Sequence, residues 1–377
     1  MEMFTITCRM TREHLMFLRN TSQFTCPQCE NPLRLKIGKV VTPHFAHIVL
    51  TNCLTSFSER ESPTHLIGKQ QLAEFFTHVG CEVSVEAYLP KIAQRPDLLV
   101  RKNKKLCAIE FQCSVISIEE VAKRNSGYKK LGIAAVWLLR TPTTIQADSP
   151  GISYVKLSKF MQSFITTDSI SGDSLITYDP TTSQFIYLTQ LLHISGTAFI
   201  AKIRALQIEQ QMFPFAHVKP LTNSERMEYW GIFQHHRNRF LKNRIFTSKY
   251  GARDRFLKYC YKQQIRPENL PLYIGLPIHR SEVIQGHPIE WQLALICELS
   301  RNKVDMRYIS TEWIEGFIEA KCKVFHLENA IQVIKRYCQK LHELEYDIYQ
   351  SISHQSISET SVVTQFRNEL VAKPCEN

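Results

Sequence analysis

The sequence contains no Gly-x-x-x-x-Gly-Lys-Ser/Thr stretch, and so no glycine-rich phosphate loop. That argues against an ATP-driven helicase or recombinase. Long apolar runs are also missing. The longest, about Ile133 to Leu139, falls far short of the roughly 20 residues that cross a bilayer. The opening MEMFTITCRMTREHL has no basic segment followed by an apolar core, so no secretory signal is expected and a cytoplasmic protein is. No repeat with a period of about 20–50 residues is present, which leaves out solenoids and propellers. Acidic residues are in short supply: 35 Asp and Glu face 46 Lys and Arg, a net charge of +11. Such a balance favours a polyanionic partner such as nucleic acid. The 377 residues, 44% of them hydrophobic, are enough for two or three domains with sizeable cores. Twelve cysteines without an export signal read as reduced thiols, some of them metal ligands, rather than disulfides.

The most informative stretch is Gln94 to Ser114, QRPDLLVRKNKKLCAIEFQCS. It reads as two strands, Leu98–Val100 and Leu106–Ile109, joined by a tight basic turn at Lys102-Asn103-Lys104-Lys105. Asp97 and Glu110 sit in strands that are otherwise apolar, where a charge is costly without a partner. If the hairpin pairs in register, the two carboxylates fall close together and repel unless a cation lies between them. Oxygen ligands of this kind suit a hard divalent ion. The alternative is an Asp that starts a strand and a Glu that faces solvent.

Residues 1–57 form a first unit. Cys26-Pro-Gln-Cys29 has the spacing with which two thiolates grip one zinc, and His44-Phe-Ala-His47 follows after fourteen residues. The set reads as a structural Cys2His2 site on a hairpin around Gly38. The gap between the histidines is shorter than in ordinary fingers, so Cys53 or Cys8 can stand in for one of them. Buried thiols beside a hydrogen-bonded histidine are the alternative.

Residues 58–165 form a second unit. Ser62-Pro63 opens a helix that ends at Gly80. His65 and Lys69 continue the row of Leu72, Phe76 and Val79. Cys81 to Leu89 alternates as a strand, and the two central strands follow. Ser117-Ile-Glu-Glu120 is a capping box that starts a second helix, on which Arg124 and Tyr128 share a face. Ile133 to Leu139 reads as a buried strand.

This order, with Asp97 followed by Glu110-Phe-Gln112, resembles the PD-(D/E)XK nuclease superfamily, and within it the competence protein CoiA family. The pieces that carry the resemblance are CPQC and HFAH, then Glu61-Ser-x-x-His65-x-x-x-Lys69. RPDLLV, IEFQCSVIS, Arg124-x-x-x-Tyr128 and HPIEWQ at residues 287–292 follow. The resemblance implies an α/β restriction-endonuclease-like core of order αβββαβ. It also implies a zinc-finger-like N-terminal unit, a mainly helical C-terminal domain, and a part in natural transformation. Asp97 and Glu110 would hold Mg²⁺ or Mn²⁺ with help from Glu61 or His65. Gln112 stands where the superfamily usually has lysine; it can orient water by hydrogen bonding but brings no charge. Lys69 could restore that charge, Arg124 contact a phosphate, and Tyr128 stack or hydrogen-bond nearby. The function implied is a metal-dependent deoxyribonuclease in uptake and recombination of foreign DNA, with recombination proteins as further partners. The alternatives are a non-catalytic DNA-binding accessory protein with a weakened site, and a zinc-bearing protein that recruits recombination machinery.

Residues 166–194, rich in Ser, Thr and Asp, read as a linker or hairpin excursion, and residues 195–349 as a helical basic domain. Between Arg226 and Arg266 lie eleven Lys or Arg and two acids, nine of the chain's net +11. Arg237, Arg239, Lys242, Arg244, Lys249, Arg253, Arg255 and Lys258 are the expected contacts to DNA, a single strand being one form it can take, with interleaved aromatics forming a core face. Residues 350–377 lack periodicity and are expected to be a disordered tail.

Overall fold

The computed structural model describes residues 10–26, 30–38, 43–48, 62–145, 151–168, 172–215, 220–248 and 251–370. Among these, helix α1 (Arg12–Thr21) begins at Thr11, whose hydroxyl accepts from the His14 amide. Strands β1 (Phe24–Thr25), β2 (Pro32–Lys36) and β3 (His44–His47) then form an antiparallel sheet. Cys26 is buried in the turn after β1, where its amide donates to the Asn31 carbonyl and its own carbonyl accepts from the Glu30 amide.

Helix α2 (Pro63–His78) starts where the sequence says: Ser62 Oγ accepts from the His65 amide, and Pro63 occupies a position whose N–H would have no helical partner. Strand β4 (Glu82–Val85) follows, then β5 (Leu98–Lys102) and β6 (Lys105–Gln112). Asn103 and Lys104 between them both take positive φ, 49° and 64°, the backbone of a type I′ hairpin turn. Helix α3 (Ile118–Lys130) is capped by Ser117 Oγ, which accepts from the Glu120 amide, and leads to β7 (Ala134–Arg140). The strand order is β4-β5-β6-β7, with β4, β5 and β6 antiparallel. Helices cover both faces of β6, which is buried from Cys107 to Phe111. Gly68 of α2 meets Phe111 so closely that an added Cβ would lie 2.2 Å from the ring, while Tyr128 of α3 packs with Ala108. In β7 only Leu138 and Leu139 are buried, so the expected fully buried strand is corrected to a partly covered one.

The chain divides into two compact units, one drawn from residues 1–114, 121–138 and 180–183, the other from the remainder. In the second, β8 (Gly151–Lys156) and the short α4 (Lys159–Gln162) precede β9 (Thr166–Asp168), β10 (Gly172–Asp179), β11 (Gln184–Ser195) and β12 (Ala198–Gln207). Their order is β10-β11-β12-β8, with β9 on β10, and Leu139 and Arg140 pair in parallel with Thr177 and Tyr178. Of the two readings of residues 166–194, a linker or a hairpin excursion, the linker is corrected to strands, with β10 and β11 paired antiparallel as a hairpin. Threonine is at home in a sheet, and the buried Thr177 hydroxyl is satisfied by Thr141 Oγ1 at 2.8 Å. Helical structure, expected from residue 195, becomes continuous only after β12.

Six helices then share one core: α5 (Asn223–Thr247), α6 (Arg255–Lys262), α7 (Pro288–Asn302), α8 (Thr311–Lys321), α9 (Leu327–Glu343) and α10 (Glu359–Glu369). The expected disordered tail is corrected through residue 370. Val362, Phe366 and Leu370, four residues apart, are all buried, and the Phe366 ring meets Trp230 edge-on at 4.8 Å and Phe233 at a tilt at 5.1 Å. Residues 371–377 lie outside the described residues. No described helix is long and apolar enough to cross a membrane.

Candidate active site

Leu98 pairs with Ile109 across the hairpin, so Asp97 stands one residue further, opposite Glu110. The Asp97 Oδ2 atom accepts from the Phe111 amide at 2.8 Å and meets His65 Nε2 at 3.3 Å. The His65 ring lies parallel to that of Phe111, 5.8 Å away. Helix α2 thus fixes one carboxylate through a histidine that is itself seated on the strand.

Helix α3 fixes the other. Glu110 is 3% exposed, and its Oε1 accepts from Arg124 Nε at 3.0 Å, from Arg124 Nη2 at 2.5 Å, and from the Tyr128 hydroxyl. Arg124 Nη2 also donates to the Arg95 carbonyl at 2.9 Å, which ties α3 to the segment before Asp97. Burial pushes the Glu110 carboxyl above its usual range; the Arg124 charge opposes this and the Asp97 charge adds to it. The two acids therefore sense each other. Burial and the Glu110 carboxylate also push the Tyr128 hydroxyl well up, so it remains a donor.

Each carboxylate thus has one oxygen taken by donors. Among the described residues no hydrogen bond reaches Asp97 Oδ1 or Glu110 Oε2. A pair of carboxylates in this state attracts a cation. The described residues bring together no group of three or more metal-ligating side chains. The donor set is two hard carboxylate oxygens, few enough that an ion held there would keep several waters.

Of the other sequence-predicted residues, Lys69 is buried and paired with Glu86 Oε1. Glu86 Oε2 lies 3.8 Å from Arg95 Nη1. Sequence reasoning missed Glu86 and Arg95. Strand alternation places Glu86 on a polar face, and nothing in its residue type announces its left-handed φ of 51°. Gln112 turns its amide to Ser114, donating to the carbonyl at 2.8 Å. The expected Arg124–phosphate contact is corrected: its guanidinium is committed to Glu110. Glu61 lies outside the described residues.

In the N-terminal sheet, His44 and His47 sit on β3 opposite Lys36 and Leu33. Cys29, Cys8 and Cys53 lie outside the described residues.

Two of the expected DNA contacts are corrected to structural roles. Arg237 is 2% exposed, and its guanidinium donates to the carbonyls of Leu270, Pro271 and Ile274. Burial brings its pKa down to about 10. Arg244 is paired with Asp254 at 3.0 Å and Glu290 at 2.8 Å. Arg239, Lys242, Arg253, Arg255 and Lys258 are exposed, Arg255 donating to the Ala320 carbonyl. Lys249 lies outside the described residues.

The family model described as competence protein CoiA, nuclease-like domain, matches residues 61–219, and that of the CoiA N-terminal domain matches residues 7–56. The first match holds Asp97, Glu110 and the helices that fix them. Competence protein CoiA of Bacillus subtilis (strain 168) is 30% identical over 275 residues, 72% of this chain and 70% of the relative. No solved structure matches. By both family models and by this coverage of a curated relative, the chain belongs to the competence protein CoiA family.

Proposed function

We propose that this protein is a divalent-metal-dependent DNA phosphodiesterase of PD-(D/E)XK type that processes incoming DNA in the cytoplasm during competence. The observation that carries this reading is the convergence of Asp97 and Glu110, each with one oxygen held by donors and the other left open. Asp97 Oδ1 and Glu110 Oε2 are the atoms that would hold Mg²⁺ or Mn²⁺, with the Phe111 carbonyl beside them. The ion, when bound, supplies a Lewis acid for a phosphoryl oxygen and lowers the pKa of a water. The protein's own part is positional. His65 orients Asp97, while Arg124 and Tyr128 orient Glu110. In the same proposal Lys69, one helical turn from His65, shares its charge between Glu86 and the phosphate, since Gln112 brings none. Cys26, Cys29 and one of His44 and His47, which alternate across strand β3, hold a structural zinc in the same proposal, with Cys53 or Cys8 in place of the other histidine.

The test uses purified full-length protein with labelled single- and double-stranded DNA and Mn²⁺ or Mg²⁺. Wild type is expected to cleave, and Asp97→Asn and Glu110→Gln to fall to background while still folding. Metal analysis of the same preparation is expected to return one zinc per chain, and a zinc-free folded protein removes that part. The Gln112 substitution at the lysine position favours a second reading, a non-catalytic DNA-binding accessory protein in recombination. DNA binding by wild type without cleavage under any divalent ion decides for it.

A further inference from the structure

We propose that the outward ridges of α5 and α6 form a track for single-stranded DNA, with phosphates on Arg239, Lys242, Lys258 and Lys262 and bases on Phe246 and Tyr261. In α5 the buried row is Tyr229, Trp230, Phe233, Arg237 and Leu241. Diametrically opposite, at spacings of three and four residues, run Arg239, Lys242 and Phe246, all exposed. In α6 the buried residues are Phe256 and Cys260, and Lys258, Tyr261 and Lys262 face away from them. The two helices are joined through the Phe240 and Phe256 rings, 6.1 Å apart, and through Arg244 and Asp254.

Charge and ring exposure together select the occupant. None of the four cations has an ion pair among the described residues. Asp254, one of only two acids in the window, is buried as the α6 cap and already paired with Arg244. The ridges therefore present uncompensated positive charge. Phe246 is 85% and Tyr261 86% exposed, each beside cations on its own helix. A large ring left in water is apolar area without a partner. A duplex keeps its base faces stacked inside, whereas a single strand offers them alternately with phosphates. One ring among cations on each helix matches that alternation better than it matches a lipid surface, which rewards a broad apolar strip.

The inference rests on the reading that DNA is the substrate. Its test is run in chelator, where no cleavage occurs, so the track and the nuclease site fail separately. Fluorescence anisotropy of full-length protein is measured with a labelled single-stranded oligonucleotide, the matching duplex, and vesicles containing phosphatidylserine. Single strands are expected to bind at least about tenfold more tightly than duplex. The double variant Phe246→Ala, Tyr261→Ala is expected to lose about tenfold or more on single strands and little on duplex, and Trp at both positions to restore binding. Changing the four cations to Gln is expected to flatten the log affinity against log salt slope by about 3, at roughly 0.7 per phosphate contact. Equal affinity for the two DNA forms, affinity unmoved by loss of both rings, or binding to vesicles but not to DNA overturns the proposal.

Discussion

At Glu110 three donor atoms from two side chains crowd onto one oxygen, and among the described residues the other accepts no hydrogen bond. The same burial that demands those donors favours the protonated acid. A metal bound as proposed would have to displace that proton, so its affinity is expected to rise with pH through a carboxyl pKa above the ordinary glutamate range. Arg124 is the chief group holding the pKa down. Arg124→Met is therefore expected to shift the limb of a Mn²⁺-affinity profile, measured by calorimetry, to higher pH and to weaken binding about 10- to 100-fold. A limb that stays in place would show that Arg124 braces the helix rather than the carboxylate. Asp97 and Glu110 were legible in the sequence because a charge in an apolar strand needs an explanation. Arg237 was not read correctly. Phe233, Arg237 and Leu241 recur every four residues, a row that is buried, yet its charge alone suggested solvent. Three backbone carbonyls at its end replace the water it gives up.

At the scale of elements, the helices and strands around the candidate site were readable from short-range signals: a Ser-Pro start, an Asn in a tight turn, a capping box. Between residues 166 and 207 the sequence allowed a hairpin without fixing its strands, because their stability comes from cross-strand pairing, β10 with β11 and β11 with β12, more than from composition. Helix α10 escaped for a similar reason. Its apolar stripe is only three residues long, and what orders it is the aromatic pocket of Trp230 and Phe233. Phe366→Ala is expected to cost about 3–5 kcal/mol, measured by urea unfolding. A loss below about 0.5 kcal/mol would mean that the segment contributes nothing to the fold.

For the molecule as a whole, two buried histidines, one on β11 and one capping α7, set an acid limit. His193 Nδ1 contacts Ser281 Oγ at 2.9 Å. His287 caps α7, its Nδ1 accepting from the Ile289 amide at 3.3 Å, with its ring 3.8 Å from that of Phe240. Burial drives both pKa values down to about 3 from 6.5, and Arg237 and Arg244 add to the effect at His287. The unfolded chain therefore takes up these protons first. Their contribution to stability is complete above pH 6.5 and is lost as pH falls toward 3. The midpoint of thermal unfolding is expected to drop progressively below pH 6.5, and His287→Asn, which retains a cap acceptor without titrating there, to flatten the decline. A midpoint level from pH 7 to 4, or one with the same slope in the variant, would contradict this. Asn103 and Lys104, finally, make the hairpin sensitive to codon number more than to codon identity. Exchanges that tolerate a left-handed backbone keep the pleat in phase. Deleting either codon would carry every residue of one strand through the sheet, delivering Phe111 to the side of α3 and Glu110 to that of α2.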